Sequence, residues 1–370
     1  MKDEQKAGTS RARLSSVPAN SFPSDEFSFI ERIRRSADRR QHAAGKQTSS
    51  LIPHPSSLLK GIGDDAAVFR ANGQSEFCIT TDLLVEEIDF RRTTTTPRFL
   101  GHKALAVSLS DIAAMGARPR FALLSVGVPR DVWRTKFPDE FYEGFFALAD
   151  EHGVALIGGD VSRTPERIVI DSIVIGETKR GRAILRSGAQ PGDLIYITGA
   201  LGGAAGGLRL LEQGAPVPRS QTKRVKSGPR EQLTLRQLRP TPRVAWGAWL
   251  GEQRLATAML DLSDGLSSDL THLCRESHTG AFIEASAVPV DAALRCLLLD
   301  GDQKLSLALN GGEDFELLFT VKPQRARRIP LEIEGVPATH IGVITKRTGL
   351  KLITHGRARS LQPAGFVHFD

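Results

Sequence analysis

Five short stretches set aspartate among small or apolar residues, and no other feature constrains this chain as strongly. They are GIGDDAAVF (Gly61 to Phe69), TTDLLVEEIDF (Thr80 to Phe90), SLSDIAAMGA (Ser108 to Ala117), GGD (Gly158 to Asp160) and DLSDGL (Asp261 to Leu266). An aspartate in an apolar setting is costly to bury unless its charge is compensated. Five such places in one chain suggest a shared compensator. Divalent cations suit the role, because Mg²⁺ takes carboxylate oxygens and substrate phosphates together. The pattern points to ATP-dependent phosphoryl chemistry.

The chain has 370 residues, room for two domains of ~100–200 residues each. No apolar run approaches the ~20 residues a membrane-spanning helix needs. The opening MKDEQKAGTSRARLSS lacks the apolar centre of a secretory signal. Cys78, Cys274 and Cys296 are scattered and form no CxxC pair. This is cytosolic usage, without a disulfide framework or zinc site, so a cytoplasmic location is expected. A net charge of +7 could serve nucleic acid. The basic residues concentrate in segments that read as tails and insertions, so nucleic acid is not an expected partner; a phosphate-rich substrate suits the same surface.

Residues 1–26 are polar and read as a disordered tail. Helical spacing begins at Phe27, Ile30 and Ile33. EFCITTDLLV then reads as a strand. FLGHKALAVSLSDIAAMGA reads as a helix closed by Gly116, with Pro119 just beyond. FALLSVGVP, VALIGGD and RIVIDSIVIGET read as strands, and FPDEFYEGFFALADEHG as an amphipathic helix. This alternation predicts a mixed sheet with helices over residues 27–185. A Pro-Gly turn in RSGAQPGDLIYITG opens a second domain, 186–370. Residues 214–235 are basic and weakly periodic and read as a surface insertion. GALGGAAGG follows a strand but is no GxGxxG, because Leu201 holds the second glycine position.

Each acidic motif also has a plain structural reading. Asp65 sits in a turn that could be a solvated loop. Thr80 and Thr81 beside Asp82 could ligate metal or phosphate, and threonine is also a good strand former. Asp111 lies within a helix among alanine and leucine, a poor structural choice for an unpaired acid. The glycines before Asp160 permit close approach of backbone to a ligand. Asp261 and Asp264 flank Ser263 in a strand-to-helix turn, where a helix cap and an anion site are compatible.

Taken in order with HKALAVSLSDIAAMGARP, GGDVSR, RSGAQPGDLIYITG, DLSDGLSSDL and NGGEDFELLFT, these motifs resemble thiamine-monophosphate kinase. That family belongs to the ATP-binding superfamily shared with aminoimidazole ribonucleotide synthase and selenophosphate synthetase. The resemblance runs from Phe27 to Asp370. It implies a two-domain, aminoimidazole-ribonucleotide-synthase-like fold. An N-terminal α/β domain has a mixed sheet that pairs across a homodimer, and an α+β domain follows. The implied activity is ATP- and Mg²⁺-dependent phosphorylation of thiamine monophosphate to thiamine diphosphate, the last step of that cofactor's synthesis, with several Mg²⁺ ions.

The resemblance also implies roles. Asp65, Thr80, Thr81, Asp82, Asp111, Asp160, Asp261 and Asp264 match metal positions. Gly159, Arg186 and Ser263 match nucleotide contacts, and Glu313 and Phe366 match positions near the thiamine part. Asp89 stands where the family usually has a substrate-side histidine, and Glu87 where it usually has glycine. Asp89 is therefore expected at the substrate, toward the thiamine ring or paired with Arg91 or Arg92. The nearest rival is a ribonucleotide cyclase of the same superfamily. A selenophosphate synthetase would carry a reactive cysteine near the N-terminus, whereas Cys78 is the first here. A catalytically silent nucleotide-binding protein has no need of every acidic position.

Overall fold

The computed structural model describes residues 30–31, 34–35, 58–70, 73–218 and 228–365. The expected tail, 1–26, lies outside them. The first sheet comprises β1 (Leu58–Lys60), β2 (Ala67–Arg70), β3 (Ser75–Val85), β4 (Arg118–Val128), β5 (Ala155–Arg163) and β6 (Val169–Lys179), in the order β1-β2-β3-β6-β4-β5. β4 and β5 run parallel and the other pairs antiparallel, so the sheet is mixed, as the alternation predicts. Helices α1 (Pro97–Ala114), α2 (Arg130–Trp133) and α3 (Phe137–His152) accompany it.

Local signals explain α1. The Thr96 side chain caps it by accepting from the Phe99 N–H, and Pro97 occupies its first turn. Gly116 leaves it in the left-handed region at φ 66°. Leu105, Leu109 and Ile112 are fully buried, and α1 is buried nearly all round, as a core helix must be.

β3 alternates by the period of two. Cys78, Thr80 and Leu84 are buried on the side of α1, while Thr81 and Leu83 are exposed on the other side. The outer face is itself apolar, with Leu83 58% and Phe121 41% exposed. A sheet apolar on both faces is built to be covered twice.

The second sheet is α+β in character. It holds β7 (Leu194–Thr198), β8 (Ala256–Asp261), β9 (Gly280–Glu284), β10 (Leu317–Val321), β12 (Val336–Thr345), β13 (Gly349–Thr354) and β14 (Arg357–Leu361), with β11 (Glu332–Ile333) on β12. The order is β14-β13-β9-β12-β7-β10-β8. In this second sheet, only β9 and β13 pair in parallel among the described strands. Its helices are α4 (Gly203–Glu212), α5 (Pro229–Leu238), α6 (Val244–Gln253), α7 (Leu266–Glu276), α8 (Gly301–Asn310) and α9 (Pro323–Ala326).

One expectation is corrected here. The basic segment read as an insertion over 214–235 runs into α5, where Leu233 is fully buried beside Leu210 and Leu294. Arg230, Glu231, Gln232 and Arg236 dilute the apolar spacing enough to hide the helix in the sequence.

α1 belongs to both domains. Leu105, Leu109 and Ile112 pack in the core of the first sheet, and Ala113 and Ala114 pack with Trp246 and Leu250 of α6. Glycine makes both crossings close. A Cβ on Gly101 would lie 1.8 Å from the Phe141 carbonyl oxygen of α3, and one on Gly247 of α6 would lie 2.1 Å from that of Ala113. The helix is gripped near each end, by a different domain at each.

Candidate active site

The acidic motifs converge where β3, α1 and β8 meet. One carboxylate oxygen from each of Asp65, Asp111 and Asp261 lies within 4.8 Å of the others. Asp65 comes from the turn before β2, Asp111 from the end of α1, and Asp261 from the last position of β8. Asp82 joins them from the α1 side of β3. Hydroxyls hold the group in place. Ser108 Oγ donates to Asp82 at 2.7 Å, Ser110 Oγ donates to Asp261 at 2.6 Å, and Thr80 Oγ1 donates to Asp111. The SLSD of α1 thus supplies two hydroxyls and a carboxylate from a single turn.

Cationic partners are scarce by comparison. Arg186 Nη2 lies 2.7 Å from Asp65, and Lys60 Nζ lies 3.1 Å from Asp64. The Arg186 backbone N–H also donates to Asp64 at 3.0 Å. The carboxyl pKa values respond. Burial, then the charges of Asp171 and Asp65, pushes Asp82 up to about 6 against the donation from Ser108. Burial and the neighbouring Asp65 push Asp261 up to about 8. Burial, then Asp82 and Asp261, holds Asp111 well above the usual carboxylate range. Asp65 Oδ2 is buried without a hydrogen-bond partner. An all-oxygen group short of positive charge, with an orphaned buried carboxylate oxygen, fits a hard divalent cation.

Asp82 also lines a cavity of about 420 Å³. Ser263, Asp264, Asp89, Lys103 and Glu313 share that cavity, with Ile88, Leu211 and Leu238 among its apolar lining. Asp89 Oδ2 accepts from the Val85 N–H at 2.7 Å. Arg91 pairs with Glu87 at 3.5 Å and Glu212 at 3.1 Å, and Arg92 pairs with Glu86. The Glu313 N–H donates to the Ser263 carbonyl at 2.7 Å, which ties the GGEDFE loop to the DLSDG turn. The cap of α7 is not made by a side chain of its Gly265 N-cap. Instead Asp269, in the first turn, accepts from Asp264 N at 3.1 Å and Gly265 N at 3.0 Å.

Three sequence candidates stand elsewhere. Thr81 is exposed on the outer face of β3, where its hydroxyl donates to Asp171 at 2.6 Å. The strand period turns it away from Thr80 and Asp82. Asp160 is exposed on the same outer face; it registers with Ser125, which registers with Asp171, which registers with Leu83. Three strand spacings of ~4.8 Å separate it from β3. The single chain therefore brings neither side chain into the acidic group. Gly159 has an internal reason to be glycine, since a Cβ there would lie 1.9 Å from the Leu124 carbonyl oxygen. Phe366 lies outside the described residues. The glycine-rich start of α4 is occupied from within, because Asp314 accepts from Gly202 N at 2.6 Å and Ala204 N at 3.0 Å.

The sequence reading missed Lys103 and Gln237. Lys103 Nζ is buried 2.6 Å from Glu313, and Gln237 donates to the other oxygen of that carboxylate. Lys103, Val107 and Asp111 follow the i, i+4, i+8 spacing of one helix face, a signal that could have found the lysine. Gln237 lies near the end of α5, just beyond the 214–235 segment read as an insertion, which took in most of that helix.

Comparison with known proteins follows the same lines. Residues 63–178 match the family AIR synthase related protein, N-terminal domain, and residues 190–355 match AIR synthase related protein, C-terminal domain. Thiamine-monophosphate kinase of Escherichia coli (strain K12) is 39% identical over 314 residues, covering 84% of this chain and 91% of that protein. The chain belongs to the thiamine-monophosphate kinase family. Solved structures agree. The thiamine-monophosphate kinase from Stenotrophomonas maltophilia K279a is 38% identical with a TM-score of 0.69, covering 90% of this chain and 98% of that one. AaThiL complexed with AMPPCP and TMP is 28% identical with a TM-score of 0.75, covering 93% and 97%. The two-domain fold expected of a thiamine-monophosphate kinase is the fold observed.

Proposed function

We propose that this chain transfers the γ-phosphoryl group of ATP to thiamine monophosphate, completing thiamine diphosphate in the cytoplasm. One observation carries the reading: Asp65, Asp111 and Asp261 gather within 4.8 Å, beside an Asp82 that shares its cavity with Lys103 and Glu313. The AMPPCP and TMP held by AaThiL support the pair of substrates.

The acceptor is a phosphate monoester whose second pKa is about 6, so its oxygens are largely anionic at neutral pH. No general base is needed. The obstacle is bringing one anion against another, and positioning with charge neutralisation is most of the catalysis. Asp65, Asp82, Asp111 and Asp261, with the Thr80 hydroxyl, would hold the Mg²⁺ ions. When bound, these supply positive charge to the transferred group. Asp264 is assigned to the same set, Ser263, Arg186 and Gly159 to the nucleotide, and Asp89, Glu313 and Phe366 to the thiamine part. The phosphoryl group passes directly and in line, so no side chain serves as nucleophile.

The apolar outer face carrying Leu83 and Phe121 supports pairing with a second copy. Thr81 and Asp160 share that face and would lie at the seam between copies. An ADP-release assay with thiamine monophosphate, thiamine and formylglycinamidine ribonucleotide tests the activity. Release with the first alone is expected. Release with the ribonucleotide and none with thiamine monophosphate would overturn the proposal.

A further inference from the structure

Glu313 is held from two sides by residues of different origin. Lys103, on α1, places its ammonium 2.6 Å from one carboxylate oxygen, and only 6% of that side chain is exposed. Gln237, on α5, donates its amide N–H to the other oxygen. The backbone is held as well. Glu313 sits in the left-handed region at φ 66°, and Phe315 two residues on at φ 48°. Two non-glycine residues held there cost energy that surrounding structure must offset, and such strain concentrates where a side chain must be aimed. The pair is not a scaffold contact out of reach of ligands, because Lys103, Gln237 and Glu313 all line the cavity shared with Asp82.

We infer that Lys103 is a positioning residue for substrate recognition: with Gln237 it fixes the Glu313 carboxylate toward a cationic, N–H-bearing ring. A carboxylate offers about four acceptor sites, and the two protein donors use two of them. The remaining lone pairs suit a ring that carries positive charge or an amino group, which is the chemistry of the aminopyrimidine and thiazolium of thiamine. Lys103 acts through Glu313. Removing it leaves a carboxylate free to turn and a loop short of one anchor, so it weakens ring binding and spares phosphoryl transfer.

This inference rests on the proposed function, and wild-type turnover of thiamine monophosphate is measured first; its absence refutes that function. Given turnover, Lys103→Met should raise KM for thiamine monophosphate about tenfold, with kcat within about threefold and KM for ATP within about twofold. Lys103→Arg should keep KM within about threefold of wild type. Because Lys103 works through Glu313, adding Lys103→Met to Glu313→Gln should worsen KM by no more than about twofold. Gln237→Met supplies the same cycle should Lys103→Met fail to fold. Independent, multiplying losses in the cycle overturn the inference. A collapse of kcat with unchanged KM does so too, since it would put Lys103 on the phosphates.

Discussion

The DLSDG and SLSD motifs and the GGEDFE loop both bury acids, and they treat them in opposite ways. Glu316, 1% exposed, accepts from Arg243 through Nε at 2.5 Å and through Nη2, and from the Thr198 hydroxyl at 2.7 Å. Its neighbour Asp314 takes two backbone N–H groups at the start of α4. Those carboxylates are satisfied by the chain itself. Asp82, Asp111 and Asp261 each have a hydroxyl donor and otherwise face mainly further carboxylates, with Arg186 a nearby cation for Asp111 and Asp261. A buried acid that the fold has fully partnered is architecture. A buried acid partnered mainly by other acids has the chemistry to take a cation from outside.

The contrast predicts different failures. The largest effect should fall on the satisfied side. Arg243→Met strands Glu316 in the core and should cost about 3–5 kcal/mol of stability, read by denaturant unfolding. A loss below about 1 kcal/mol would show that water reaches the pair.

Next in size is Asp82→Asn, which removes a carboxylate of the unsatisfied group. Turnover should fall at least about a hundredfold, roughly 2.7 kcal/mol, while stability holds or rises because a repelling charge is gone. Near-normal turnover at saturating Mg²⁺ would erase the distinction between the two regions.

pH provides a finer test. Asp261, raised by burial and by Asp65 from 3.8 to about 8, keeps a proton in the fold that the unfolded chain has already released. Cation-free stability contributed by this group therefore falls as pH climbs through that interval. A divalent cation replaces the proton, so the rise in Tm on adding Mg²⁺ should be a few degrees larger at about pH 8 than at about pH 6. An equal or smaller rise at the higher pH would mean that these carboxylates do not bind the ion. The smallest effect belongs to Thr80→Val, which withdraws one neutral donor from Asp111 and should slow turnover about fivefold, roughly 1 kcal/mol.

Much of this was legible beforehand because the signals were local. Thr96-Pro97 and Gly116 bracket α1, and the alternation of β3 is plain in EFCITTDLLV. Asp65, Asp82, Asp111 and Asp261 were found because an acid among apolar neighbours needs an explanation. Thr81 was read from its place beside Asp82 and Asp160 from the glycines before it, as well as from motif likeness, and adjacency in the chain does not put two strand residues on one face. α5 was hidden by its charged surface, and Gln237 with it. The partnering of Glu313 by Lys103 is a contact between residues far apart in the chain, and no window of sequence displays it.

α1 has one further consequence, and it concerns length. Lys103 and Asp111 stand on the same helix, eight positions apart, about 12 Å at 1.5 Å per residue. The helix cannot stretch, and glycine contacts pin it near both ends. With the proposed roles of Lys103 and Asp111, the gap between ring recognition and phosphate handling is a fixed gauge. Enlarging the apolar walls would admit a bulkier ring but would leave the reach unchanged. Under those roles, selection by reach and selection by shape would be separately adjustable.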